Sequence, residues 1–405
     1  MKRRHGVLLM MLCSLFILFG CSGGDSSSGP ADTGSGTGTL AVSLTDAPAG
    51  GLKAVYVTIE EISVCAEATE ADTDADVNAA AESCLWELID TPGSTYNLLE
   101  LVNGVTETLA VAELPVGTYH QMRLLVGSEA DDGTNISGKS HPHPNYLIDA
   151  FGKAHPLKIP SGLQSGIKLE SEFEIEENKY TEIILDFDAA RSIVAHGNKD
   201  TYSLKPAIRV IDPKQMTRLV GAVSMVNTDS SEIPLESVHV SAQRVDGSSG
   251  LVVDAHTLTD AAGGYQLLLE KNREYTIVVF SNAHIPACDL IANYGEIPEE
   301  ITRNFVLDAS DSKRITGSIT GTAAGSDVVL SIRQVGQGCG NGDQEIELLR
   351  QTIAYDEGGI AYDVTLPVDM EYKISYTDGV NESSRMLNVE PDTASQTLQP
   401  RSESP

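Results

Sequence analysis

Apolar side chains return at every second position through most of this chain and hardly anywhere at helical spacing. Leu40, Val42 and Leu44 share one face, with Ala41 and Ser43 on the other. Met122, Leu124 and Val126 alternate likewise, as do Ile183, Leu185 and Phe187, then Leu204, Pro206, Ile208 and Val210. That spacing puts one side of each segment into a core and the other into solvent, which is the pattern of a half-buried strand. Val55, Val57 and Ile59 keep the phase, but it then jumps to Ile62 and Val64. One β-bulge at Glu60-Glu61 would bury both sets. Turn pairs such as Asn103-Gly104, Pro92-Gly93 and Val116-Gly117 punctuate the strands. No window of about 12 residues carries a helical period. The chain therefore reads as all-β.

One hydrophobic core seldom organises 405 residues, so several bodies are expected. Aromatic residues make up only 5%, which leaves Val, Ile and Leu to fill the cores. Residues 40–212 form the first predicted β-sandwich, ending at Asp212-Pro213. After it the sequence repeats itself. Arg218-Leu-Val-Gly-Ala-Val223 recurs roughly 96 residues on as Arg314-Ile-Thr-Gly-Ser-Ile319. A glycine pair follows in each copy, Gly263-Gly264 and Gly358-Gly359, and a Tyr-x-Ile strand closes each at Tyr275 and Tyr372. Two similar sandwiches are predicted over 217–308 and 313–390, with a disordered polar tail over 391–405.

The first 20 residues read as a leader. Lys2, Arg3 and Arg4 precede the apolar run Val7 to Phe19, and Gly20-Cys21 closes it. As a helix that run spans about 20 Å against about 30 Å of hydrocarbon, so it is too short for a permanent membrane span. Leu18-Phe19-Gly20-Cys21 resembles a bacterial lipobox, with Phe19 bulkier than is usual there. The resemblance implies that Cys21 is lipidated and becomes the new N-terminus. Residues 21–39 then form a tether, since Ser22 to Thr39 holds 14 Gly, Ser or Thr among 18 residues. Its r.m.s. reach is about 23 Å.

The net charge is −31. The leader carries +3 from Lys2, Arg3 and Arg4, so the remainder carries −34. Such a surface repels phosphate backbones and anionic headgroups, which excludes nucleic acid as a partner and leaves membrane attachment to acyl chains. Cys13 leaves with the leader and Cys21 takes lipid, so Cys65, Cys84, Cys288 and Cys339 remain. In an oxidising compartment an even number reads as disulfides, and three pairings are open. Cys65 with Cys84 is favoured, because both close one short acidic loop. A loop of roughly 20 residues gains about 3 kcal/mol in the chain-entropy picture. Cys288 with Cys339 would bridge two predicted bodies.

Gly38-Thr-Leu-Ala-Val-Ser-Leu-Thr-Asp-Ala-Pro48, Leu114-Pro-Val-Gly-Thr-Tyr119, Leu185-Asp-Phe-Asp188, Ser192-Ile-Val194 and Tyr202-Ser-Leu-Lys-Pro206 resemble a family of bacterial lipoprotein domains of unknown function. That resemblance implies an envelope β-sandwich and carries no activity. Thr259-Asp-Ala-Ala-Gly-Gly-Tyr265, followed by Leu267 and Leu269, is similar to the carboxypeptidase regulatory-like fold, related to transthyretin. The last copy departs from it at Tyr355-Asp-Glu-Gly-Gly359. Domains of this shape are also grouped with starch-binding-like modules, which implies carbohydrate as a partner class.

Local chemistry is sparse. Glu67, Glu70, Asp72, Asp74 and Asp76 share one loop, but Val77 and Ser83 stand where a calcium loop needs glycine and glutamate, so it reads as a solvated acidic loop. His141, His143 and His155 could surround a metal, yet Pro142 and Pro144 favour an exposed, unliganded loop. Asp186 and Asp188 flank an inward Phe187, with Asp188 placed to cap a turn through Ala189-Ala-Arg191. Gly336 to Gly342 lacks the setting of a nucleotide loop. Trp86 is expected in the core beside Leu85 and Leu88. No nucleophile elbow, HExxH, P-loop or paired acid/base motif occurs.

The expectation is thus a lipid-anchored, non-enzymatic envelope protein without cofactor, metal or catalytic residues, serving as a structural or protein-interaction scaffold. Ser22 after the lipidated cysteine, by resemblance to Gram-negative sorting, points to the outer membrane. The alternatives are a carbohydrate-binding module using exposed aromatics such as Tyr146 or Tyr294 and, more remotely, a hydrolase of envelope polymers.

Overall fold

The computed structural model describes residues 36–47, 51–66, 85–160, 166–196, 201–247, 250–291, 299–319, 327–334, 345–354, 360–378, 382–391 and 396–398. From Gly36 to Pro405 the chain forms one compact unit. The leader, Cys21, the tether as far as residue 35, the acidic loop, Tyr294 and Gly336 to Gly342 lie outside the described residues. The end of the expected tether is strand instead, since Thr37–Ala47 pairs from Thr37 on, and within the expected tail Gln396–Leu398 pairs in parallel with Ser312–Ile319. No described helix is long and apolar enough to cross a membrane. The elements are strands, with a four-residue helix at Ala189–Ser192 and short 3-10 turns at Leu98–Glu100 and Pro213–Gln215.

In the first region two sheets close on a core of aliphatic side chains. One sheet runs Ile208–Ile211, Tyr180–Asp188, Thr37–Ala47, Glu107–Pro115, and its central pair is parallel, Val42 opposite Ile183 and Leu44 opposite Leu185. The other is built on the long strand Leu52–Ala66. The phase jump is a bulge, as expected. Pairing with Gly117–Val126 shifts between Ile59 and Glu61, and Val57, Ile59, Ile62 and Val64 are all buried. One extra residue keeps both apolar sets on the core face.

The repeat is visible in topology. In the middle copy the strands run Gly250–Leu258, His239–Asp246, Tyr275–Phe280, Ala287–Ile291. In the last copy they run Ile346–Ala354, Asp327–Gln334, Met370–Thr377, Glu382–Val389, in the same order and sense. Within the recurring motif, Gly221 lies opposite Tyr265 and Gly317 opposite Tyr362. A Cβ on Gly221 would sit 1.6 Å from the Arg303 carbonyl oxygen and 2.8 Å from the Tyr265 ring. Close approach of backbone and ring, rather than a turn, is what fixes glycine there. The first glycine pair makes its hairpin. Gly263 has φ +76°, and Asp260 Oδ1 accepts from the Ala262 and Gly264 amides at 2.8 Å each. Gly358-Gly359 lies outside the described residues.

The regions are joined by hydrogen bonds. Ile193–His196 of the first region pairs in parallel with Ile346–Ala354 of the last, Ala195 opposite Ile353 and His196 opposite Ala354, so one sheet of 13 strands runs through both. Between middle and last regions, buried Gln243 imitates a strand. Its Nε2 donates to the Glu347 carbonyl at 2.6 Å, and its Oε1 accepts from the Glu347 amide at 2.8 Å. Val278 and Phe280 of the middle region pack into the last region's core, with Cys288 against it.

Candidate functional site

Period two explains how a carboxylate reaches the core. Asp46 follows Leu40, Val42 and Leu44 at the same spacing, so it takes the next inward position at the strand end. Pairing sets it opposite buried Phe187, with Thr45 opposite Asp186 and Ala47 opposite Asp188. Two stretches far apart in sequence thereby meet at one sheet end. Asp46 is 6% exposed, its Oδ1 accepts from the Ala189 amide at 2.9 Å, and its Oδ2 has no partner. Burial raises its pKa well above the ordinary value, and the charges of Asp186 and Asp188 add to that.

Its neighbours are committed to cations. Arg209 donates to Asp186 Oδ2 through Nη2 at 3.0 Å. Asp188 caps the helix Ala189–Ser192, accepting from the Arg191 amide at 2.9 Å, as its position in sequence indicates. Its other oxygen lies 3.1 Å from His256 Nε2 in the middle region. Burial pushes Asp188 up, but His256 and Arg191 outweigh it and hold the carboxyl below the usual range. His239 stacks on His256 with centroids 6.0 Å apart, and burial lowers its pKa to about 4.

Asn103, which the sequence marks only as a turn, is the bolt of this junction. At φ 57° it directs its side chain into the middle region. Nδ2 donates to the Leu258 carbonyl at 2.9 Å, and Oδ1 accepts from the Thr257 hydroxyl at 2.7 Å. Arg191 Nη2 donates to the Val253 carbonyl at 2.7 Å. A cavity of about 40 Å³ lies here, lined among others by Asp46, Asp186, Arg209 and His256. It has room for water and none for a substrate. A cleft of about 350 Å³ adjoins it, sharing Thr45, Gly104, Gln266 and Leu268 as a common wall.

Several expected sites are rearranged. Tyr146, expected as an exposed aromatic, is 0% exposed: its ring stacks on Tyr56 at 4.6 Å and its hydroxyl lies 2.9 Å from His141 Nδ1. Burial pushes the phenol up to about 12, so it is neither a sugar platform nor a nucleophile. His141, expected exposed, is buried under the same rings with Nε2 3.5 Å from Asp131. His155 is buried elsewhere, 2.9 Å from Asp149. His141 and His143 both lie against the Tyr146 ring while His155 faces Asp149, and among the described residues no three His, Cys, Asp or Glu side chains are placed to hold a metal. Trp86 is half-buried beneath the Arg123 guanidinium at 4.8 Å, while its neighbour Leu88 is 55% exposed, because that strand packs at the sandwich margin. Cys65 and Cys288 are both disulfide-bonded, so they are not free thiols. Cys84 and Cys339 lie outside the described residues.

The strand-built body is all-β, and residues 37–206 match a family described as "Domain of unknown function (DUF4382)". Asp46 and Asp186 to Asp188 fall within that match. No curated protein matches the chain. Among solved structures, the Bacillus anthracis TIE protein is similar at 12% identity over 90% of this chain and 50% of that one, TM-score 0.18. A streptococcal ancillary pilin is similar at 12% over 91% and 100%, TM-score 0.18. A putative adhesin from Bacteroides ovatus is similar at 10% over 47% and 94%, TM-score 0.18. Superpositions that loose transfer nothing to this chain.

Proposed function

We propose that this chain is a lipid-anchored, non-enzymatic envelope protein that holds an acidic, jointed-free β body on a short leash. The observation that carries the reading is the leader: a basic start, a run too short to span, and Cys21 ahead of a Gly/Ser tether. Cys21 takes the lipid, and Ser22 directs the product to the outer membrane. The sandwiches of 40–212, 217–308 and 313–390 act as a single block, because backbone pairing and buried side-chain bonds tie each to another. Against catalysis stand carboxylates already matched to Arg209, Arg191 and His256 beside a cavity of about 40 Å³. Cys65 pairs with Cys84 and Cys288 with Cys339. Cys288 is disulfide-bonded and packs against the last region's core, which supports a bridge into that region.

Replacing Cys21→Ala in cells should move the protein from the membrane to the soluble fraction with its folding intact. Intact-mass analysis of the wild type should find fatty acid on Cys21. A variant that still fractionates with membranes would show that the attachment lies elsewhere.

A further inference from the structure

The cleft of about 350 Å³ beside the Asp46 cavity lies at the lower end of sites that hold small organic molecules. Its outer wall carries Lys214, Arg218 and Lys271, with Glu299 as the one carboxylate lining it. This is a local excess of positive charge in a chain of net charge −31. Arg218 is engaged by Glu300 at 2.9 Å, and Lys271 Nζ is held against the Lys214 carbonyl at 2.9 Å. That bond uses one of the three Lys271 protons and fixes the ammonium at the cleft. Lys214 forms no direct ion pair among the described residues, although its charge helps lower the Glu176 carboxyl, and it sits on the short turn Pro213–Gln215 between two regions.

The inner wall supplies a neutral donor. Gln266 lies over Gly104 so closely that a Cβ there would be 1.9 Å from Gln266 Nε2. Its side-chain amide bonds to nothing among the described residues, although it borders both chambers. Ile184, Met216 and Leu268 give the cleft an apolar floor. Cations on one side, an unspent amide on the other and a greasy base suit a carboxylate on a small carbon skeleton. A polyanion would be repelled by the surrounding surface before reaching it.

We infer that this cleft binds a small organic carboxylate, held by Lys214 and Lys271 and oriented by Gln266. The inference does not depend on lipidation. The full-length protein would be titrated by calorimetry with D-glucuronate, acetate and D-glucose at concentrations up to about 10 mM. Glucuronate should bind saturably and glucose should not. Acetate binding as well as glucuronate would make a simple acid sufficient, whereas binding of glucuronate alone would assign a sugar acid. Lys214→Met and Lys271→Met should each weaken binding about tenfold, as expected for a lost charge-assisted contact. Lys168→Met, on the distant strand Ile167–Ile175, should leave it unchanged. Lys271→Gln, which retains a donor to the Lys214 carbonyl, separates lost charge from lost packing. No saturable binding, equal binding of glucose, or full affinity in both lysine variants would overturn the assignment.

Discussion

The middle and last regions share one strand order yet dock on the first region by different physics. In the last copy the outer strand Ile346–Ala354 continues a sheet, backbone to backbone, through Ala195 and His196. In the middle copy the equivalent strand Gly250–Leu258 ends its own sheet, and each bond it makes to the first region has a side chain on at least one end. His256 meets Asp188, and Thr257 meets Asn103. Sheet extension is backbone pairing, whereas the second contact rests on the Asp188 carboxylate against His256, with buried His239 stacked behind it. Duplication thus fixed the strand order of each copy and left its mode of attachment free to diverge.

The comparison can be broken at three points. The largest effect is expected from Gln243→Leu. Two buried groups of Glu347 lose their partner, and each unsatisfied group costs 1–3 kcal/mol, so unfolding in denaturant should show a loss of about 4 kcal/mol. If the loss stays under about 1 kcal/mol, the last region is held by the strand pairing alone.

Asp188→Ala comes next, with a loss of about 3 kcal/mol at neutral pH, since a buried, paired charge and a helix cap go together. The same junction should weaken in acid. His239 is neutral in the folded protein, so its contribution is complete above its ordinary value of 6.5 and disappears as pH falls toward about 4. Asp188, held below the usual range, loses its contribution as pH falls further through its folded value, in the same direction. Hydrogen exchange at pH 4 should open Gly250–Leu258 while Ile346–Ala354 keeps its protection. Equal opening of both would contradict the contrast.

Asn103→Gly should cost least, about 1–2 kcal/mol, because glycine accepts the positive φ while the hydrogen bonds to Leu258 and Thr257 vanish. A larger loss in Asn103→Ala would separate the strain from the bonds.

What the sequence reveals divides along the same line. Period two located the strands and even the bulge at Glu60-Glu61, because burial on one face leaves a trace at every second residue. The Asp188 cap was legible because both partners lie within one turn. Asn103, Gln243 and Asp46 were not, since each acts on residues distant in sequence, and a polar side chain that crosses between regions looks like any surface residue. Asp46 carried a usable signal, a carboxylate continuing the inward phase of Leu40, Val42 and Leu44. Tyr146 misled for the opposite reason: prolines on either side of His143 imply an open loop, but Tyr56 gives that loop a ring to fold onto.

The pairing of Ala195 with Ile353 also has a consequence for biogenesis. During synthesis the strand Ile193–His196 emerges more than a hundred residues before the edge that completes it. Until then its outer amides face solvent and can recruit the wrong neighbour, as unpaired edges do. Non-local closure of this kind is slow. A nascent chain of this protein should therefore need a holding factor until its final region arrives, and C-terminal truncations should aggregate rather than fold as shorter versions of the whole.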